Sequence, residues 1–248
     1  MVHSDPIFES HAEDLRYHKH SDPHRRASWI SDVILGGQDG LVNVLGVILG
    51  IAAATQDSYL VLVAGLAATF AESVSMAAVA YTSTVADADF YESEREREFR
   101  HIQEVPKLEV NEVRQIYADK GFKGEMLDRI VETITANKDV WVAVMMAEEH
   151  GLSPIDRRHA LRSGLVVGVA AIVGSLIPLL PFVFLPVAPS MVASVLLAAV
   201  VLFVFGSYKA RATVGNPGKS GLELALIGTV SALVGYVVGS LLKVPVTP

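Results

Sequence analysis

The sequence predicts an all-α membrane protein: five transmembrane helices with a cytoplasmic helical insert between the second and third spans. Three observations lead there. The 248 residues are 51% hydrophobic, and five apolar runs approach or exceed the ~20 residues a helix needs to cross a bilayer's hydrocarbon core. Charge is concentrated in one block: Asp87 to His150 holds 16 acidic and 9 basic residues, whereas the remainder balances at 11 of each. Finally, Arg25, Arg26, Arg157, Arg158, Arg162, Lys209, Arg211 and Lys219 all fall on one side of a five-span arrangement, with Lys243 alone opposite. The positive-inside rule makes that side the cytoplasm, and the N-terminus and acidic insert share it.

Residues 1–27 form a polar tail carrying His3, His11, His18, His20 and His24. It has no apolar core of the signal-peptide kind and reads as solvated chain, with loose metal binding as the alternative. Residues 28–86 hold the first two spans. The first runs from about Trp29 to Ala54 and contains GGQDGLVNVLGVILG, in which Gly36, Gly40, Gly46 and Gly50 make two small-xxx-small pairs suited to close helix approach. Asp39 interrupts the apolar stretch. A lone carboxylate there costs roughly +2.5 to +3.5 kcal/mol even on lenient insertion scales, so it needs a partner or a function. Asp32 lies seven residues earlier on the same face, and Asn43 one turn later.

A short loop, Gln56-Asp57-Ser58, leads into the second span. YLVLVAGLAATFAESVSMAAVAY is apolar for 23 residues apart from Glu72. No Pro or Gly follows Gly65 until Pro106, so one helix is expected to run out of the membrane as far as His101. Glu72 and Met76, at i and i+4, share its face.

The insert, 87–156, is expected to be helical. Glu94, Glu98 and His101 recur at i, i+4 and i+7; Val105-Pro106 marks a break; Glu109 and Glu112 follow at i and i+3 on a helix reaching about Lys120. Gly121 to Gly124 reads as a turn, Glu125 to Ala136 as a further helix. The last helix carries Trp141, Met145, Met146, Glu148 and Glu149, with Glu149 one turn after the methionines. Such a charge run is either an ordinary solvated face or a donor set. Carboxylate and imidazole suit Fe(II), Mn(II), Co(II) and Zn(II), and thioether biases the set away from Ca(II) and Mg(II).

Three spans close the chain in 157–248: about His159 to Phe182, Ser190 to Tyr208 and Leu222 to Leu242. Gly164–Gly168 and Gly235–Gly239 again permit tight packing, and Pro178, Pro181, Pro186 and Pro189 mark a hydrophobic turn between the first two of these spans. There is no cysteine, which excludes disulfides and thiolate metal sites. No HExxH or GxSxG supports an intramembrane hydrolase, so the chain reads as a non-enzyme. An acidic insert argues for a cationic partner and against nucleic acid.

ILGGQDGLVNVLGVILG in the first span, SMAAVAYTS in the second, and an insert with VP and WVAVMMAEEHGL together resemble the vacuolar iron transporter family, from His18 onward. The resemblance implies a five-span homodimer in the lipid bilayer that exchanges Fe(II), often also Mn(II), for protons and carries it out of the cytosol, with no organic cofactor. It implies a path at the subunit interface, with the intramembrane carboxylate and methionine at Asp39 and Met76 and Asp32 near the cytoplasmic mouth. It also implies a three-helix metal-binding insert with ligands at Glu98, His101, Glu109, Glu112, Met145, Met146 and Glu149. Two positions depart from the pattern: His101 stands where a glutamate is more usual, and Ala68 where many members have an acid two turns before the methionine. Glu72 lies one turn before it instead. The expected membrane is a bacterial inner membrane, or a vacuolar-type one in a eukaryote. The alternative function is a membrane-anchored metal-binding or sensing protein that transports nothing.

Overall fold

The computed structural model describes residues 28–212 and 215–242; the five tail histidines lie outside them. The described residues form eight helices and no strand: α1 (Ser28–Thr55), α2 (Ser58–Glu104), α3 (Pro106–Asp119), α4 (Gly124–Thr135), α5 (Lys138–Glu148), α6 (Arg158–Phe184), α7 (Val187–Ala212) and α8 (Pro217–Leu241). Five of them, α1, α2, α6, α7 and α8, are long and apolar enough to cross a membrane. The expected continuity of α2 holds. It is helical for 47 residues, more than twice the ~20 a bilayer's hydrocarbon core needs.

The chain divides into two compact units. One comprises the described residues up to Ser73 and from Val169 onward; the other is Val74–Gly168.

In the first unit α1 is the hub, packed against α7 and α8, with Leu41, Val44, Leu45, Ile48, Leu49 and Ala52 buried. Its small residues decide how close the neighbours come. Gly46 and Gly50 meet Gly235 and Gly239 of α8, backbone on backbone: a Cβ on Gly50 would lie 3.0 Å from the Gly235 carbonyl oxygen, and one on Gly239 would overlap the Gly50 carbonyl. Against α6 the approach is made by Gly37, whose carbonyl a Cβ on Gly174 would overlap, and by Gly40 beside Ala171.

The proline-rich turn is tighter than expected. Pro178 and Pro181 lie inside α6, and only Leu185-Pro186 separates it from α7. Serines of α7 bridge the hairpin: Ser194 Oγ donates to the Pro178 carbonyl at 2.6 Å, and Ser190 Oγ to those of Pro181 and Leu185 at 3.1 and 3.0 Å. Helix α8 also starts earlier than hydropathy indicates, at Pro217. Asn216 caps it by accepting from the Lys219 N–H at 3.1 Å, a polar first turn that an apolar pattern cannot register.

The second unit has a small core of its own. Ile102, Val113, Leu127, Val131, Ile134, Trp141, Val142, Met145 and Met146 are buried together, and α4 lies against both α3 and α5. The breaks fall where the sequence puts them. Pro106 opens α3, Gly121 and Gly124 turn the chain at φ +98° and +57°, and Asn137 caps α5 by accepting from the Asp139 and Val140 N–H groups. At the far end of α5, Gly151 takes φ +64°, a left-handed conformation that favours glycine.

Candidate functional site

Two groups of ionisable side chains stand where water cannot freely solvate them, one in each unit. In the first unit the polar residues of α1 and α2 meet. The Asn43 carboxamide donates to Glu72 Oε2, and Asp39, one turn before Asn43 on α1, lies beside the same Glu72 carboxyl. Asp39 and Glu72 are half-buried and Asn43 is exposed, so this polar edge faces out of a single copy of the chain. Asp32 is half-buried near the start of α1. Met76, four residues after Glu72 in sequence, belongs to the second unit and is half-buried. Ala68 is half-buried and packs with the apolar cluster of Val44, Ile48 and Val61.

In the second unit the acidic residues are not one solvated face. Glu98 on α2 and Glu109 on α3 are 3% and 2% exposed, and one oxygen of each, Glu98 Oε1 and Glu109 Oε2, has no hydrogen-bond partner. Their other oxygens face imidazoles: His150 Nε2 is 3.4 Å from Glu98 Oε2, and His101 Nδ1 is 3.7 Å from Glu109 Oε1. Glu112 of α3 and Glu149 at the end of α5 complete the group.

Burial, reinforced by the neighbouring carboxyls of Glu98 and Glu112, pushes Glu109 up to about 8. Burial and the Glu112 charge also raise Glu149, with His150 acting in the opposite sense. The carboxyls are therefore crowded to the point where one keeps a proton near neutrality, and a cation would relieve the same repulsion.

The remaining expected ligands are placed differently. Met145 and Met146 are fully enclosed in the apolar core, one turn before Glu149. The Glu94 carboxylate is paired with Arg97 at 2.9 Å. Among the described residues, no three His, Cys, Asp or Glu side chains are already drawn together closely enough to hold a metal ion. His150 was missed by sequence reasoning. Its signal was its position directly after Glu148-Glu149, at the point where Gly151 turns the chain back.

The sequence model of the VIT family matches residues 30–240. "Vacuolar iron transporter 1" of Eucalyptus grandis is 34% identical over 220 residues, covering 88% of each chain. The protein of the same name from Arabidopsis thaliana is 33% identical over 219 residues, again covering 88% of each. A "Vacuolar iron transporter" of Plasmodium falciparum is 28% identical over 253 residues, covering 96% of this chain and 92% of that one.

Proposed function

This chain belongs to the VIT family, and we propose that it carries Fe(II), with Mn(II) and other divalent transition metals as further substrates, out of the cytosol in exchange for protons. The observation that carries this reading is the polar edge of Asp39, Asn43 and Glu72 on two helices of spanning length. Lipid tails offer such groups no hydrogen bonds, so an exposed carboxamide beside two carboxyls calls for a protein surface or a hydrated ion opposite it. A second copy across a two-fold axis supplies both, doubling the oxygen donors and bringing two Met76 thioethers to the same path. Asp32 serves the cytoplasmic mouth. A proton and a cation then compete for the same oxygens, which is sufficient to couple their movements.

In this reading the insert, with the N-terminus, lies in the cytoplasm of a bacterial inner membrane or a vacuolar-type membrane. It collects metal on Glu98, His101, Glu109, Glu112 and Glu149, with Met145 and Met146 as soft donors one turn away. The name shared by the relatives supports iron as the substrate. The test is Fe(II) uptake into proteoliposomes under an imposed pH gradient. Asp39→Asn is expected to reduce uptake to that of empty vesicles, while full retained uptake would overturn the proposal. Absence of any flux from the native chain would leave a membrane-anchored metal-binding protein.

A further inference from the structure

The insert's two buried carboxylates are each met by an imidazole, and one of these imidazoles belongs to no expected ligand set. His150 reaches Glu98 from the end of α5, and its side chain is 31% exposed. That position is fixed by backbone bonds: the His150 N–H donates to the Met145 carbonyl at 3.2 Å and the Leu152 N–H to the Met146 carbonyl at 2.8 Å. His101 makes the corresponding approach to Glu109 from α2. Glu98 Oε1 and Glu109 Oε2 are enclosed with no donor group beside them, and the two carboxyls lie within hydrogen-bonding reach of each other, so either a shared proton or a cation relieves the cost of their burial.

We propose that His150 is a metal ligand, giving Nε2 to the cation that Glu98 and Glu109 hold, and that with His101 it sets the insert's preference for Co(II) and Zn(II) over Mn(II). The proposal rests on the insert being a metal-collecting domain and goes beyond it by assigning selectivity. Carboxylate oxygens alone suit Mn(II) as well as its neighbours. Each nitrogen added to the set favours the later ions of the row, because borderline cations gain more from imidazole than Mn(II) does. Nε2 can hydrogen-bond Glu98 in one protonation state and ligate in the other: the ring proton moves to Nδ1 when a cation arrives. Glu98 Oε2 lies 3.4 Å from the ring nitrogen, and the other donors must draw in to complete the set, since no three of them stand close enough together among the described residues.

The test uses the full chain in detergent, with His3, His11, His18, His20 and His24 replaced by Gln so that tail histidines contribute nothing. Calorimetric titrations with Mn(II), Co(II) and Zn(II) are compared between this protein and its His150→Gln form. Co(II) and Zn(II) affinities are expected to fall at least tenfold, since losing even a group that only supports a ligand costs about 10–100-fold, while Mn(II) affinity changes far less. The Co(II)-loaded protein should also lose one hyperfine-shifted imidazole N–H proton resonance. An equal fall for all three metals, or none, overturns the ligand role and reduces His150 to a hydrogen-bond partner of Glu98. If the parent protein binds none of the three metals at the insert, the metal-collecting reading fails as well, so the two failures are separable.

Discussion

The two units confine carboxylates by opposite means. In the first, Glu72 has its own hydrogen-bond donor in Asn43, and the polar edge is open at the surface of the chain; the surrounding medium would make it costly. In the second, Glu98 and Glu109 are enclosed by the protein itself, and each leaves an oxygen unpartnered; the fold makes them costly. The first arrangement is open outward and the second is enclosed. A carboxylate out of water therefore indicates a requirement, and its partners indicate which kind.

The frame that carries Asp39 and Asn43 leaves no room for side chains where α1 meets α8, so that is where the comparison breaks most easily. Gly239→Val would drive a branched Cβ into the Gly50 carbonyl and should lower stability by roughly 1–3 kcal/mol or more. Thermal unfolding in lipid nanodiscs measures it, and an unchanged Tm would mean that α1 and α8 do not touch there.

Removing partners should have opposite signs in the two units. Asn43→Leu deprives Glu72 of its donor and is expected to destabilise the chain by about 1 kcal/mol, read in the same nanodisc experiment. Glu109→Gln instead removes a charge that crowds Glu98, so the metal-free insert should become more stable in alkaline solution.

The pH dependence follows from the raised Glu109. Its folded-state value of about 8 exceeds that of the unfolded chain, so the folded insert holds the proton more tightly. That contribution is complete below the unfolded value, near 4.5, and is lost as pH rises through about 8. In a Trp29→Phe background, where Trp141 alone fluoresces, the insert's unfolding temperature should fall between pH 6 and pH 9. Glu109→Gln should flatten the slope, and saturating Mn(II) should offset it. A pH-independent transition in the native protein would show that Glu98 and Glu109 do not repel one another.

Much of this was legible in the residues. Apolar run length and the absence of Pro or Gly between Gly65 and Pro106 forecast α2 to within a few residues, because a helix continues until its backbone is given a reason to stop. The pairing of Gly46 and Gly50 with Gly235 and Gly239 was half-visible: spacing announced small-residue faces but not which faces meet. Gly37 shows the limit, since it lies outside the spaced pairs yet makes the close contact with α6. Pro178 and Pro181 fall inside the expected span and inside α6, but the serine hydroxyls of α7 that bond their carbonyls could not be read from the local pattern.

By itself the sequence determined the all-helical class, the five helices long and apolar enough to cross a membrane, and the concentration of acidic residues in 87–150, because these follow from periodicity, length and transfer free energy, all local along the chain. Only the tertiary structure decided that Asn43 reaches Glu72, that Glu98 and Glu109 are buried rather than solvated, that Met145 and Met146 lie in the core, and that His150 belongs with the carboxylates. The reason is physical. Helical spacing says which residues share a face, but burial and partnership depend on what packs against that face, and here Asn43 lies 29 residues from Glu72 and His150 lies 52 from Glu98.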